Sequence, residues 1–244
     1  RYASANLSNS EIEAIIANLR NIGDATLYLT LRSSFILYRD GFEFHRHNSN
    51  ETLWIDYLDF TSDNPKEYNI FRAVNQFIVS YNAGQKTRRP DVILFINGIP
   101  VCIVELKNPT DFNATIADAY DQIHIRYQRD IPHIMKYCAL SCISDASNSR
   151  LGTTFTPYIH YYAWKKVENE DDTAKMGIPE LQTLIKGAYR PDRIRVLLRD
   201  FTYFPDLKAG KEEEIICRYP QFFATHKLFD NILKHLRSKG GDGK

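Results

Sequence analysis

Residues 88–109 read RRPDVILFINGIPVCIVELKNP. Two short apolar runs flank Asn97-Gly98, a dipeptide that favours a tight β-hairpin turn. Asp91 opens the first run, and Glu105 and Lys107 close the second. A hairpin fit for a core therefore carries three charges at one end. Residues i and i+2 of a strand share a face, so Glu105 and Lys107 point the same way. The turn decides where Asp91 points. A two-residue turn at Asn97-Gly98 pairs Asp91 with Val104 and sends it to the face opposite Glu105. A three-residue loop, Asn97-Gly98-Ile99, puts Asp91 directly across from Glu105, and a β-bulge achieves the same parity. One of these two is expected.

Two carboxylates at close range repel unless a cation sits between them. Such a pair suits Mg²⁺, which keeps several waters and takes further ligands from substrate phosphate. A lysine two residues on can hold an attacking water or stabilise charge growing on a phosphate. The pattern therefore points to phosphodiester hydrolysis. Spacing alone is equally compatible with a Glu105–Lys107 salt bridge at a sheet edge. The text between the charges is almost wholly apolar and is bracketed by Pro90 and Pro109, and charges beside such a core are costly without a use.

The surrounding chain sets limits. It has 244 residues, 43% hydrophobic and 25% charged, enough for one large domain or a domain with an appendage. A net charge of +1 gives no global basic footprint, so any nucleic-acid contact must come from a local patch. No apolar run is long enough to span a membrane. The start, RYASANLSNSE, lacks a signal core and an initiator Met and reads as a trimmed chain or a fragment. The four cysteines form no CxxC pair, which argues against a structural zinc site. Cys138 and Cys142, on one expected strand, lie roughly 13 Å apart and too far to bond. Buried free thiols in a reducing cytoplasm are expected.

Helices are expected over 10–19, 113–129, 178–187, 191–199 and 221–237. Strands are expected over 53–60, 75–80, 137–144 and 160–167. Residues 84–89 read as a basic loop, 168–175 as a solvated loop and 238–244 as a flexible tail. On the 113–129 helix, Ile116, Ala119, Tyr120, Ile123 and Tyr127 form an apolar face, with Gln122, Arg126 and Arg129 beside it. The order of elements implies an α/β fold with a mixed central sheet and helices on both faces. No GxxxxGK[ST] loop is present, so this chain is not expected to bind ATP.

The hairpin text resembles the PD-(D/E)xK nuclease motif. More narrowly, it is similar to the N-terminal nuclease domain of the restriction (R) subunit of type I restriction enzymes. VNQFIV at 74–79, DAYDQIHIRYQRDIPHIMKYCALSCISD at 118–145, LGTTFTPYIHYYAWKKV at 151–167 and the KGGDGK tail extend the likeness over nearly the whole chain. The resemblance implies a PD-(D/E)xK restriction-endonuclease-like core over residues 1–200. It makes 201–244 a C-terminal extension toward a motor domain absent from this chain. It makes Asp91 and Glu105 metal ligands and Lys107 the catalytic lysine, with Mg²⁺ as cofactor and Mn²⁺ able to substitute. The implied substrate is double-stranded DNA, and ATP would be used only through the motor. The implied partners are that motor and the methylation and specificity subunits, in a bacterial or archaeal cytoplasm.

The family also carries a Gln-x-x-x-Tyr element on the following helix. Here Gln122 is followed by Tyr127, one residue late. In a plain α-helix these two lie about 140° apart. Gln122 is then the better candidate, and Tyr127 also fits the apolar stripe. An acidic residue of the first helix often completes such sites, which nominates Glu11 and Glu13. Lys86, Arg88, Arg89, Arg126 and Arg129 are candidate phosphate contacts. No base-reading motif is visible, so cleavage without sequence preference is expected. Two rival readings remain: a stand-alone repair nuclease or junction resolvase, and a non-catalytic docking module on the same fold.

Overall fold

A computed structural model of the chain describes residues 2–46, 49–108, 115–145, 147–168, 178–205 and 212–236. The expected 168–175 loop and the 238–244 tail fall almost wholly outside them. The chain opens with α1 (Asn9–Arg20) and α2 (Leu27–Asp40). A small antiparallel pair follows, β1 (Phe42–His45) with β2 (Thr52–Ile55). Then come β3 (Phe71–Asn75), the short hairpin β4 (Val79–Tyr81) and β5 (Lys86–Arg88), and the long hairpin β6 (Val92–Ile96) and β7 (Ile99–Leu106).

A helical crossover leads from β7 to β8 (Leu140–Ser144) and β9 (Ser149–Thr153). It consists of α3 (Ile116–Asp121), a π-helix (Gln122–Tyr127), α4 (Gln128–Asp130) and α5 (Pro132–Met135). The chain ends with α6 (Ile178–Ala188), α7 (Pro191–Asp200), the short pair β10 (Thr202–Tyr203) and β11 (Ile215–Ile216), and α8 (Tyr219–His235).

The central sheet has the order β3-β6-β7-β8-β9, antiparallel except for the β7–β8 pair. A parallel pair needs a crossover, and the helices between β7 and β8 supply it. They cover one face, where Ile103 and Ile143 meet Ile116, Ile123, Tyr127 and Ile131. The other face carries Cys102, Val104, Leu140 and Cys142 against Phe35, Tyr38, Leu184, Leu197 and Phe222. The fold is thus the expected mixed α/β sheet, consistent with a PD-(D/E)xK-like nuclease core. Strand β7 is buried on both sides, and its central residues are almost completely shielded from water. Burying a side chain such as Ile103 stabilises by about 1.5–3 kcal/mol. The site therefore rests at the end of a deeply buried strand.

Several local expectations are corrected. Helix α2 lies where no element is expected, with Tyr28, Leu31, Phe35 and Tyr38 as its buried stripe and Thr26 as its cap. Strand β9 was also missed. The 53–60 strand reduces to Thr52–Ile55, and the 137–144 strand begins only at Leu140. Cys138 thus precedes the strand, and all four cysteines are free. The 84–89 segment forms a turn and β5 rather than a loop. The 75–80 run is broken at Gln76, which has a positive φ. Residues 160–167 do not form a strand, and only Tyr162 makes an isolated bridge, to Leu151. Tyr161 instead lies across Gly152, where any Cβ would come within 2.5 Å of its ring.

Candidate active site

The hairpin turn has two residues, with φ +52° at Asn97 and +82° at Gly98, the positive pair that matches strand twist. Ile96 faces Ile99 and Phe95 faces Pro100, but Leu94 faces Cys102. Val101 is the extra residue of a bulge. Consequently Val101 and Cys102, adjacent in sequence, both enter the same core. Pro100 can sit beside this irregularity because it has no N–H to give a ladder. Beyond the bulge Val92 faces Val104, which brings Asp91 opposite Glu105. Of the two ways to reach that parity, the chain uses the bulge and not the three-residue loop.

Asp91 accepts a hydrogen bond on Oδ2 from the Leu106 N–H at 2.8 Å, and on Oδ1 from Gln76 Nε2 at 2.7 Å. Glu105 is 3% exposed and lies on the face covered by the crossover helices. Its Oε1 accepts from Lys107 Nζ at 3.1 Å and its Oε2 from the Tyr127 hydroxyl at 2.9 Å. Lys107 Nζ also donates to Gln122 Oε1 at 2.6 Å, and Gln122 Nε2 donates to the Tyr127 oxygen at 2.6 Å. Glu105, Lys107, Gln122 and Tyr127 thus close a four-membered ring. Burial, and then the charge of Asp91, push the Glu105 carboxyl up to about 7 against the opposing pull of Lys107 and Tyr127. Burial first, and then Glu105, raise the Tyr127 hydroxyl.

The π-helix makes the ring possible. Its i→i+5 pattern takes one more residue per turn than an α-helix, and the Gln128 N–H reaches the Ile123 carbonyl. Gln122 and Tyr127, five apart, therefore meet on one face instead of diverging. This corrects the preference for Gln122 over Tyr127. Tyr127 is in the core and at the site at once, with its ring among Ile103, Ile123 and Ile131 and its hydroxyl on Glu105.

The donor set suits a hard divalent cation. Among the described residues no group of three or more His, Cys, Asp or Glu could hold a metal. Two carboxylates on neighbouring strands, with burial and then Asp91 weakening the acidity of Glu105, match an ion that retains water and do not match structural zinc. Glu11 lies elsewhere: it closes the capping box of α1 with Ser8 and pairs with Arg46 at 2.8 Å. Glu13 is exposed on the same helix.

The type I restriction enzyme R protein N terminus family matches residues 3–158, more than half of the chain and including every residue of this ring. The chain belongs to that family. It is 28% identical over 245 residues to the type I restriction enzyme HindI endonuclease subunit of Haemophilus influenzae, covering 98% of this chain and 23% of that protein. It is also 28% identical over 208 residues to a Methanocaldococcus jannaschii protein named provisionally as the MjaIXP endonuclease subunit of a type I restriction enzyme, covering 79% and 19% respectively. The chain thus spans about a fifth of the length of the curated relatives it matches.

In this R-protein N terminus the basic candidates divide. Lys86, Arg89 and Arg126 are exposed. Arg88 and Arg129 both bind Asp130, through contacts of 2.5–2.7 Å and 2.7–3.1 Å. Arg129, and then Arg88, hold the Asp130 carboxyl down at about 2. Sequence reading missed Asp130 and Gln76. Asp130 follows Arg129 directly, a signal available in the text, whereas nothing in the text marks Gln76. No helix among the described residues is long and apolar enough to cross a membrane.

Proposed function

We propose that the charged end of the β6–β7 hairpin is a Mg²⁺-dependent nuclease site that hydrolyses phosphodiester bonds of double-stranded DNA. The reading places the chain as the nuclease part of a type I restriction R subunit. The observation that carries it is the convergence of Asp91, Glu105 and Lys107 at one end of two buried strands.

In this reading Asp91 and Glu105 hold the cation, with Mn²⁺ able to replace Mg²⁺. When bound, the metal lowers the pKa of a coordinated water and neutralises charge on the phosphate. Lys107 sets an ammonium beside Glu105 and stabilises negative charge developing on the phosphate oxygens. Gln122 fixes Lys107, and Tyr127 fixes Glu105. Lys86, Arg89 and Arg126 are free to meet the DNA backbone. Arg88 and Arg129 act through Asp130 to shape that surface rather than to bind directly. Phosphate contacts carry no sequence information, so the cleavage position is set by partners: a motor segment of the R polypeptide, which supplies the ATP dependence, and the methylation and specificity subunits. The setting is the cytoplasm of a bacterium or archaeon.

The test titrates Mn²⁺ or Mg²⁺ by calorimetry into wild type and Asp91→Ala, beside a supercoiled-plasmid nicking assay. Loss of both binding and nicking in the variant is the expected result. Binding lost in the variant, with no nicking even by wild type, supports a metal site that awaits its motor. Robust cleavage by this chain alone favours a self-sufficient nuclease. Indifference to the substitution in both assays overturns the reading and leaves a salt-bridged sheet edge.

A further inference from the structure

We infer that Gln76 is the positioning residue that fixes the Asp91 carboxylate for cation binding. The inference rests on the proposed reading of Asp91 as a metal ligand. Gln76 stands where β3 ends and the chain leaves the central sheet for the β4–β5 hairpin. Its backbone N–H donates to the Asp91 carbonyl at 2.9 Å, continuing the ladder one pair past Asn75 and Val92. Gln76, Asp91 and Glu105 therefore lie in a row across three strands. The Gln76 side chain folds back so that Nε2 donates to Asp91 Oδ1, while the Leu106 N–H holds Oδ2. With one donor on each oxygen, from the strand on either side, the carboxylate plane is set. Each oxygen keeps a further lone pair for a cation.

The backbone supports the assignment independently. Gln76 has φ +54°, in the left-handed region. Five described non-glycine residues have a positive φ, and three of them are Asn, the type that tolerates it best. A turn out of the sheet needs only glycine there. Gln76 is also exposed, so no packing demand selects a long side chain. A strained glutamine where glycine would serve is explained by what its amide does, and the amide touches Asp91. Partners that orient metal-binding side chains typically alter metal affinity by about 10–100-fold when removed.

The experiment measures the Mn²⁺ dissociation constant by calorimetry and the melting temperature in chelator for wild type, Gln76→Gly and Asp91→Ala. Glycine relieves the left-handed strain, so Gln76→Gly is expected to melt at or above wild type while its Mn²⁺ affinity falls by about 10–100-fold. A purely structural role predicts unchanged affinity at that melting temperature, and this result overturns the inference. If Gln76→Gly melts lower than wild type, Gln76→Asn decides. It tolerates the left-handed backbone but falls one carbon short of Oδ1, so weaker binding supports the assignment and wild-type affinity overturns it. Asp91→Ala separates the two readings. Binding lost in Asp91→Ala but intact in both Gln76 variants defeats the positioning role alone, whereas full binding by Asp91→Ala defeats the metal site and the positioning role together.

Discussion

Glu105 and Asp130 each accept hydrogen bonds from two side chains, yet they sit at opposite ends of the acidity range. Asp130 receives two guanidinium groups and is held down at about 2. Glu105 receives one ammonium and one neutral hydroxyl, is buried, and faces Asp91, so it rises to about 7. Two guanidiniums stand on the one carboxylate of Asp130, whereas Asp91 and Glu105 share the single ammonium of Lys107. The Asp130 carboxylate is saturated with cationic donors and has no need of a further cation. In the proposed reading, Asp91 and Glu105 together hold negative charge that Lys107 does not fully compensate, which leaves room for a cation.

The comparison can be pushed hardest at Lys107. Lys107→Ala is expected to cut DNA cleavage by about 10²–10³-fold while Mn²⁺ binding persists, because the ammonium acts on developing charge rather than as a ligand. Calorimetry and single-turnover cleavage on the same preparation check this. Tyr127→Phe comes next. It leaves Glu105 Oε2 without its donor, at a cost of about 1–3 kcal/mol read by chemical denaturation.

Glu105→Gln and Asp130→Asn should then move stability in opposite directions. In chelator at neutral pH, Glu105→Gln removes a carboxylate repelled by Asp91 and raises the melting temperature. Asp130→Asn removes the charge that binds Arg88 and Arg129 and lowers it. The pH dependence follows with the same signs. Glu105, raised in the fold, contributes stability that is fully present below its ordinary 4.5 and is lost as pH rises through about 7. Asp130, depressed in the fold, contributes stability that is present above its ordinary 3.8 and is lost as pH falls toward about 2. Denaturation of both variants across these windows assigns each loss to its carboxylate.

The smallest effect is expected from deleting Ile125, an exposed residue of the π-helix. The deletion brings Gln122 and the tyrosine to an α-helical i, i+4 spacing. It should keep Mn²⁺ affinity within a few-fold of wild type, since ring closure needs the two on one face and not a π-helix as such.

Much of this was legible in the text of the hairpin. Asn97-Gly98 marks the turn, and the parity argument required a bulge or a longer loop before Asp91 could face Glu105. The place of the bulge was not legible. Pro100, Val101, Cys102 and Ile103 are all apolar, and β7 is buried on both faces, so no polar residue marks where the alternation slips. Helix α2 was legible in principle, because Tyr28, Leu31, Phe35 and Tyr38 recur at helical spacing. Thr30, Ser33 and Ser34 hid it by lowering local helix propensity. The aromatic 160–167 segment misled for a different reason. Tyr161 and Trp164 are buried by packing against Gly152 and Phe222, not by pairing in a ladder. The Asp91 clasp was out of reach, since no local pattern places Gln76 beside a residue fifteen positions away.

Val101 in β7 and the additional residue between Gln122 and Tyr127 share a consequence for how such proteins are recognised. Each element that carries this site holds one residue more than its regular geometry counts, and each absorbs it within a single turn or pleat. A search written as fixed gaps along the chain rejects the Gln122–Tyr127 pair as out of frame. A search written as faces and turns accepts it. What the site requires here is angular position about an axis, and a helix or strand that can absorb one extra residue supplies it without a fixed letter count.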